Sequence, residues 1–160
     1  MKRVIAAAIV WPPAFFLTGL MFFKTGPDIE QLLSPVLDDQ VITNVSRSGD
    51  TVCWKWRWVK QHDAEPQGAA WSFVILGTSV DYPAVVQRQN DGGIVERPRN
   101  RNPGPGVSDF CSAIPPYLAR APNLEIQGSI AYRPAHGWWL VWQEVPVVKV
   151  PPPPAEGACD

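Results

Sequence analysis

Hydrophobic and polar positions divide the chain into three regimes. From Val4 to Phe23 there are twenty consecutive residues without a charge, VIAAAIVWPPAFFLTGLMFF. A helix needs about 20 apolar residues to cross a hydrocarbon core. The run therefore predicts a membrane helix within residues 1–24, kinked at Pro12-Pro13, which a soluble helix interior rarely carries. Residues 25–37 read as a linker, with Pro27 and Pro35 bracketing a short amphipathic piece, Ile29 to Leu33. Beyond it the period changes. Short β-branched and aromatic runs, broken by Gly, Pro, Asn and Asp, predict strands at 41–47, 51–60, 70–76, 84–89, 94–96, 107–113, 124–133 and 138–148. Turn chemistry fits at Ser48-Gly49-Asp50, at Asn90-Asp91-Gly92-Gly93 and at Pro134-Ala135-His136-Gly137. This is the pattern of an all-β domain, a small antiparallel sandwich over residues 38–150. Residues 151–160 begin with four prolines and read as a short polyproline rod with a mobile end.

The flanks of the apolar run predict its orientation. Lys2, Arg3 and the terminal amine precede it, while Lys24, Asp28 and Glu30 follow. The positive-inside bias then places the amino end in the cytoplasm and the domain outside, in the periplasm of a bacterial inner membrane. A cleaved signal would want small residues after the run, but it ends in Met21-Phe22-Phe23-Lys24. A lipoprotein signal would want a cysteine after Leu17-Thr18-Gly19, and Leu20 stands there. An uncleaved signal-anchor fits better than secretion after cleavage, with residues 4–23 meeting the lipid bilayer.

Composition sharpens this picture. The whole chain carries a net charge of −1, and 18 of its 160 residues are proline. All 15 acids but only 11 of the 14 basic residues lie beyond Lys24, so the exterior part stands at −4. A mildly acidic domain gives no call for nucleic acid. The prolines disfavour a mostly helical fold.

Cys53, Cys111 and Cys159 are the three cysteines. An exported position favours oxidation, and Cys53 with Cys111 is the natural pair because both fall in predicted strands. The spacing, together with Trp71 between them, resembles an immunoglobulin-like domain over roughly residues 38 to 150. The resemblance implies a two-sheet sandwich with a disulfide beside a buried tryptophan. The family's tyrosine corner is missing, since Asp109 and Phe110 precede Cys111. Alternation along residues 51–60 poses a further question. Val52, Trp54, Trp56 and Trp58 share one face, and Cys53, Lys55, Arg57 and Val59 the other. Unpaired charges rarely bury, so the tryptophan face should be core and Cys53 should point outward, unless a bulge at 53–54 shifts the register. Cys159 is left as a free thiol on the tail or an intermolecular disulfide.

Candidate sites follow from the aromatic and cationic residues. Trp54, Trp56 and Trp58, interleaved with Lys55 and Arg57, read as a core wall or as an aromatic platform for a glycan. Trp138, Trp139 and Trp142 cannot all be buried on one strand, which makes them binding candidates with Trp139 foremost. Arg97, Arg99 and Arg101 lie on a proline-rich loop that could meet an acidic partner or lipid head groups. No nucleophile elbow, zinc-protease helix or phosphate loop occurs. No cofactor, metal site or catalytic residue is expected. The leading expectation is a non-catalytic, membrane-anchored module contacting a protein in a bacterial envelope, whether encoded by the host or by a phage or mobile element. A glycan-binding domain and an envelope hydrolase without a recognisable motif are the alternatives.

Overall fold

A computed structural model describes residues 2–78, 80–96, 98–99 and 101–153, with side chains described from residue 13 onward. Arg97 and Cys159, both singled out above, lie outside the described residues.

The alternation in Thr51–Lys60 (β2) settles which face is core. Val52, Trp54 and Trp56 are buried and Trp58 is half-buried, while Arg57 is exposed. β2 pairs with Leu37–Ser48 (β1) on one side and Gly104–Ala113 (β6) on the other. The β1–β2 turn places Gly49 at φ 56°, a left-handed conformation that glycine takes without strain. β2 itself runs without a bulge against β6; the irregularities fall in β1, between Asp38 and Val41 and between Thr43 and Ser46. Asp39 and Asn44 occupy these two breaks with positive φ. Such breaks twist and blunt an exposed edge strand.

The second sheet is built on Ala64–Ile75 (β3), Asp81–Pro83 (β4), Leu124–Pro134 (β7) and Val141–Lys149 (β8), and Val86–Arg88 (β5) joins the first. The two four-stranded sheets have the orders β1-β2-β6-β5 and β4-β3-β7-β8, with every pairing antiparallel. Together they form a β-sandwich. The expected strand at 94–96 is reduced to a bridge between Gln87 and Ile94, and β8 starts at Val141, so Trp138 and Trp139 sit in a loop.

Aromatic rings fill the space between the sheets. The Trp54 ring centroid lies 6.1 Å from that of Trp71 and 6.0 Å from that of Phe110. Phe73, Ile126, Ile130 and Val148 complete the middle of the core. The indoles of Trp58 and Trp71 each lie over the glycine directly opposite in register, Gly106 and Gly128, where a Cβ would collide with the ring. At one edge Gln143, buried, donates to the Leu37 carbonyl and accepts from the Leu37 N–H at 2.8 Å, tying β8 to β1.

Before the sandwich comes one helix, Lys2–Leu33 (α1), of 32 residues. It runs through Pro12-Pro13 and continues past Lys24, so residues 25–33, expected as linker, are helical. Pro27 leaves the Phe23 carbonyl without its intrahelical donor. The hydroxyl of Thr25 donates to the Met21 carbonyl at 2.8 Å, a back-bond that satisfies a neighbouring acceptor. Ser34 donates to the Glu30 carbonyl and Pro35 follows, ending the helix where proline disfavours continuation. The expectation of a membrane-crossing helix is not met here: among the described residues no helix is long and apolar enough to cross a membrane. Lys24, Asp28 and Glu30 lower the hydropathy of the described half, while the side chains of residues 2–12 lie outside it.

Candidate functional site

Cys53 and Cys111 are bonded, as expected. They face each other in register on β2 and β6, with Cα atoms 4.1 Å apart. Because the inward positions beside them hold Trp54 and Phe110, the bridge lies on the outer face of one sheet and does not join the two. The bond is intramolecular.

The tryptophan stripe and the arginine loop, separate in sequence, meet in the structure. Arg101 places its guanidinium carbon 5.6 Å from the Trp58 ring centroid, within cation–π range. Trp58 meets Trp56 with ring centroids 4.3 Å apart and planes tilted 35°. Trp54 and Trp56 are only 2% and 3% exposed, so the three indoles offer no open platform. Instead the inner end of the stripe and the loop enclose a cavity of about 120 Å³. Trp56, Trp58, Lys60, Arg99, Arg101 and Tyr132 are among its lining.

Lys60 organises this end. Its amine donates to the Ala64 carbonyl at 2.9 Å and to the Arg101 carbonyl at 2.6 Å, pinning the loop to the start of β3. Burial pushes its pKa below the ordinary lysine value, and Asp63, 4.0 Å away, opposes that shift. Tyr132 is 5% exposed, and burial raises its phenol well above the ordinary tyrosine range. Among the described residues no group bonds its hydroxyl. Arg99 and Arg88 both pair with Asp91, at 2.6 Å and 3.1 Å. The backbone N–H of Gly93, reinforced by these arginines, holds the Asp91 carboxyl below the usual carboxylate range. Asp109 also lines the cavity and is paired with Lys55 at 3.4 Å.

Trp139, the foremost binding candidate, is half-buried against α1. Its indole N–H donates to Glu30 at 2.6 Å, and His136 reaches the same carboxylate at 2.9 Å. Phe22 and Phe23 meet the indole edge-on, with centroids 5.1 Å and 6.3 Å away. Gly26 faces the ring so closely that a Cβ would stand 2.7 Å from it. Phe22, Gly26 and Glu30 are spaced i, i+4, i+8, one face of a helix. Sequence reading missed Glu30 and His136; that spacing around a glycine was the available signal. Trp138 remains exposed in the loop, although its ring lies 5.9 Å from Phe22. Trp142 is also exposed, on the outer face of β8 opposite Ala131.

The fold and these two sites define a two-sheet β-sandwich with an amino-terminal helix clamped to its β7–β8 loop. No protein-family model and no curated protein sequence matches the chain. Among solved structures it is similar to the purple acid phosphatase PPD1 from yellow lupin (Lupinus luteus) seeds, at 17% identity and a TM-score of 0.36. The match covers 79% of this chain and 21% of that one, so the chain spans about a fifth of the phosphatase's length.

Proposed function

We propose that the protein is a membrane-tethered, non-catalytic interaction module of a bacterial envelope, held outside the cytoplasm by α1. The observation that carries this reading is the clamp between α1 and the sandwich. Glu30, bonded by Trp139 and His136, and Phe22 and Phe23, packed on Trp139, fix the domain to the end of an uncharged apolar run. The helical surface before the clamp supports it as well. Phe15, Phe16, Leu17, Leu20 and Met21 are all more than half exposed, a display that folded proteins cover with lipid or a partner. Lys2 and Arg3 before the run and a −4 domain after it favour the amino end inside. The Cys53–Cys111 bond agrees with an oxidising compartment.

The strand order supports an immunoglobulin-like arrangement. Lettered A, B, C, C′, D, E, F and G in chain order, the strands form sheets A-B-E-D and C′-C-F-G. Trp71, buried on the C strand, fits this arrangement, whereas the disulfide joins B to E on the outside. Such domains serve binding on many proteins, and here the exposed Trp138 and Trp142 are the contact candidates. Fractionation of cells expressing the full chain tests the tether. The protein should stay in the membrane pellet after an alkaline carbonate wash; release into the supernatant would contradict the reading.

A further inference from the structure

We infer that the cavity beneath the arginine loop is a binding site for a small ring-bearing carboxylate. A cavity of about 120 Å³ is close to the roughly 150 Å³ of an engineered apolar cavity that accepts benzene. The walls suit a ring: the indoles of Trp56 and Trp58, in contact and tilted 35° to one another, give apolar surface, and the phenol of Tyr132 adds more.

Polarity then selects the ligand's other end. Among the described residues the cations lining the cavity are Lys60, Arg88, Arg99 and Arg101, and the acid is Asp109. Asp109 is engaged by Lys55, and Arg88 and Arg99 share Asp91. Arg101 is different. Among the described residues its guanidinium meets the Trp58 ring and one carbonyl, that of Val107 at 3.4 Å, but no carboxylate. A guanidinium presents five donors, most of which are left for an anion. Tyr132 lines the same cavity, and its hydroxyl, to which no described residue bonds, is a second donor. A phenol is protonated over the whole neutral range, so it presents a hydrogen to an acceptor. An aromatic or alicyclic body lying beside the indoles, with its carboxylate toward Arg101 and Tyr132, meets both donors and the apolar wall. Arg99, 62% exposed, is part of the same lining.

The test uses the full chain in mild detergent, titrated with benzoate and, separately, with neutral benzyl alcohol, followed by tryptophan fluorescence and calorimetry. Benzoate should bind saturably at one site, and benzyl alcohol at least about tenfold more weakly, since a hydrogen bond to a charged group contributes about 1.5–3 kcal/mol. Tyr132→Phe keeps the ring and the wall, and should weaken benzoate about tenfold. Arg101→Gln, on an exposed loop, should do the same and serves if the first variant folds poorly. No saturable benzoate binding at concentrations up to about ten times a 1 mM Kd would overturn the inference. So would equal affinity for the neutral alcohol, or unchanged affinity in the folded variants.

Discussion

Trp58, Trp71 and Trp139 each rest on a glycine, at 106, 128 and 26. A large flat ring needs a neighbour without a side chain, and each pair trades a Cβ for an indole face. Gly128→Ala should therefore destabilise the fold by about 1–3 kcal/mol in urea unfolding, as overpacking does. Trp54→Ala should cost about 3–5 kcal/mol, the range for emptying a large aromatic site. Exposed Trp138 should tolerate replacement by alanine within about 0.5 kcal/mol. Tyr132 adds a pH dependence. Its folded pKa lies above the unfolded value near 10, so its contribution is complete below pH 10 and fades as pH rises, because the unfolded chain releases the proton first. The alkaline fall in stability above pH 10 should be smaller in Tyr132→Phe than in the parent, measured by urea midpoints across that range. At this scale the inward tryptophans of β2 were legible, because alternation with Lys55 and Arg57 leaves one apolar face. Their glycine partners were not, since register joins residues far apart in sequence.

Elements repeat the same division. β2 was readable to the residue, being a clean alternation bounded by a turn and by charged or polar positions. α1 was misread beyond Lys24, because Gly26 and Pro27 suggest a break. The structure instead carries the helix on to Glu30, where Trp139 and His136 hold it. Trp138 and Trp139 were assigned to a strand on hydrophobicity alone, whereas they belong to the loop that grips the helix. Glu30→Gln, which removes the charge that these two donors share, should raise hydrogen exchange through residues 22–33 while leaving the core strands protected. The disulfide belongs here too. It spans 58 residues of chain but joins adjacent strands. Replacing both cysteines by alanine should cost about 2–4 kcal/mol, mainly by releasing the unfolded chain. Equal thermal stability of the double variant would contradict that account.

The molecule as a whole is a sandwich whose edges are closed and whose helix is not. Bulges blunt β1, Pro146 interrupts β8, and β4 and β5 are three residues each, so open pairing edges are few. The apolar surface of α1 stands in contrast, with large exposed side chains from Phe15 to Phe23. The sandwich was legible from strand spacing and turns. The meeting of the arginine loop with the Trp58 face was not, because it depends on Lys60 holding the Arg101 carbonyl across one end of the sandwich. In the proposed arrangement the domain stands outside the membrane and the amino end inside. Protease added to intact spheroplasts expressing the full chain, tagged at both ends, tests it most directly. The carboxy-terminal tag should be lost while an amino-terminal fragment about the length of α1 remains protected. Survival of both tags until the membrane is broken, or absence of the chain from the spheroplasts, would contradict it.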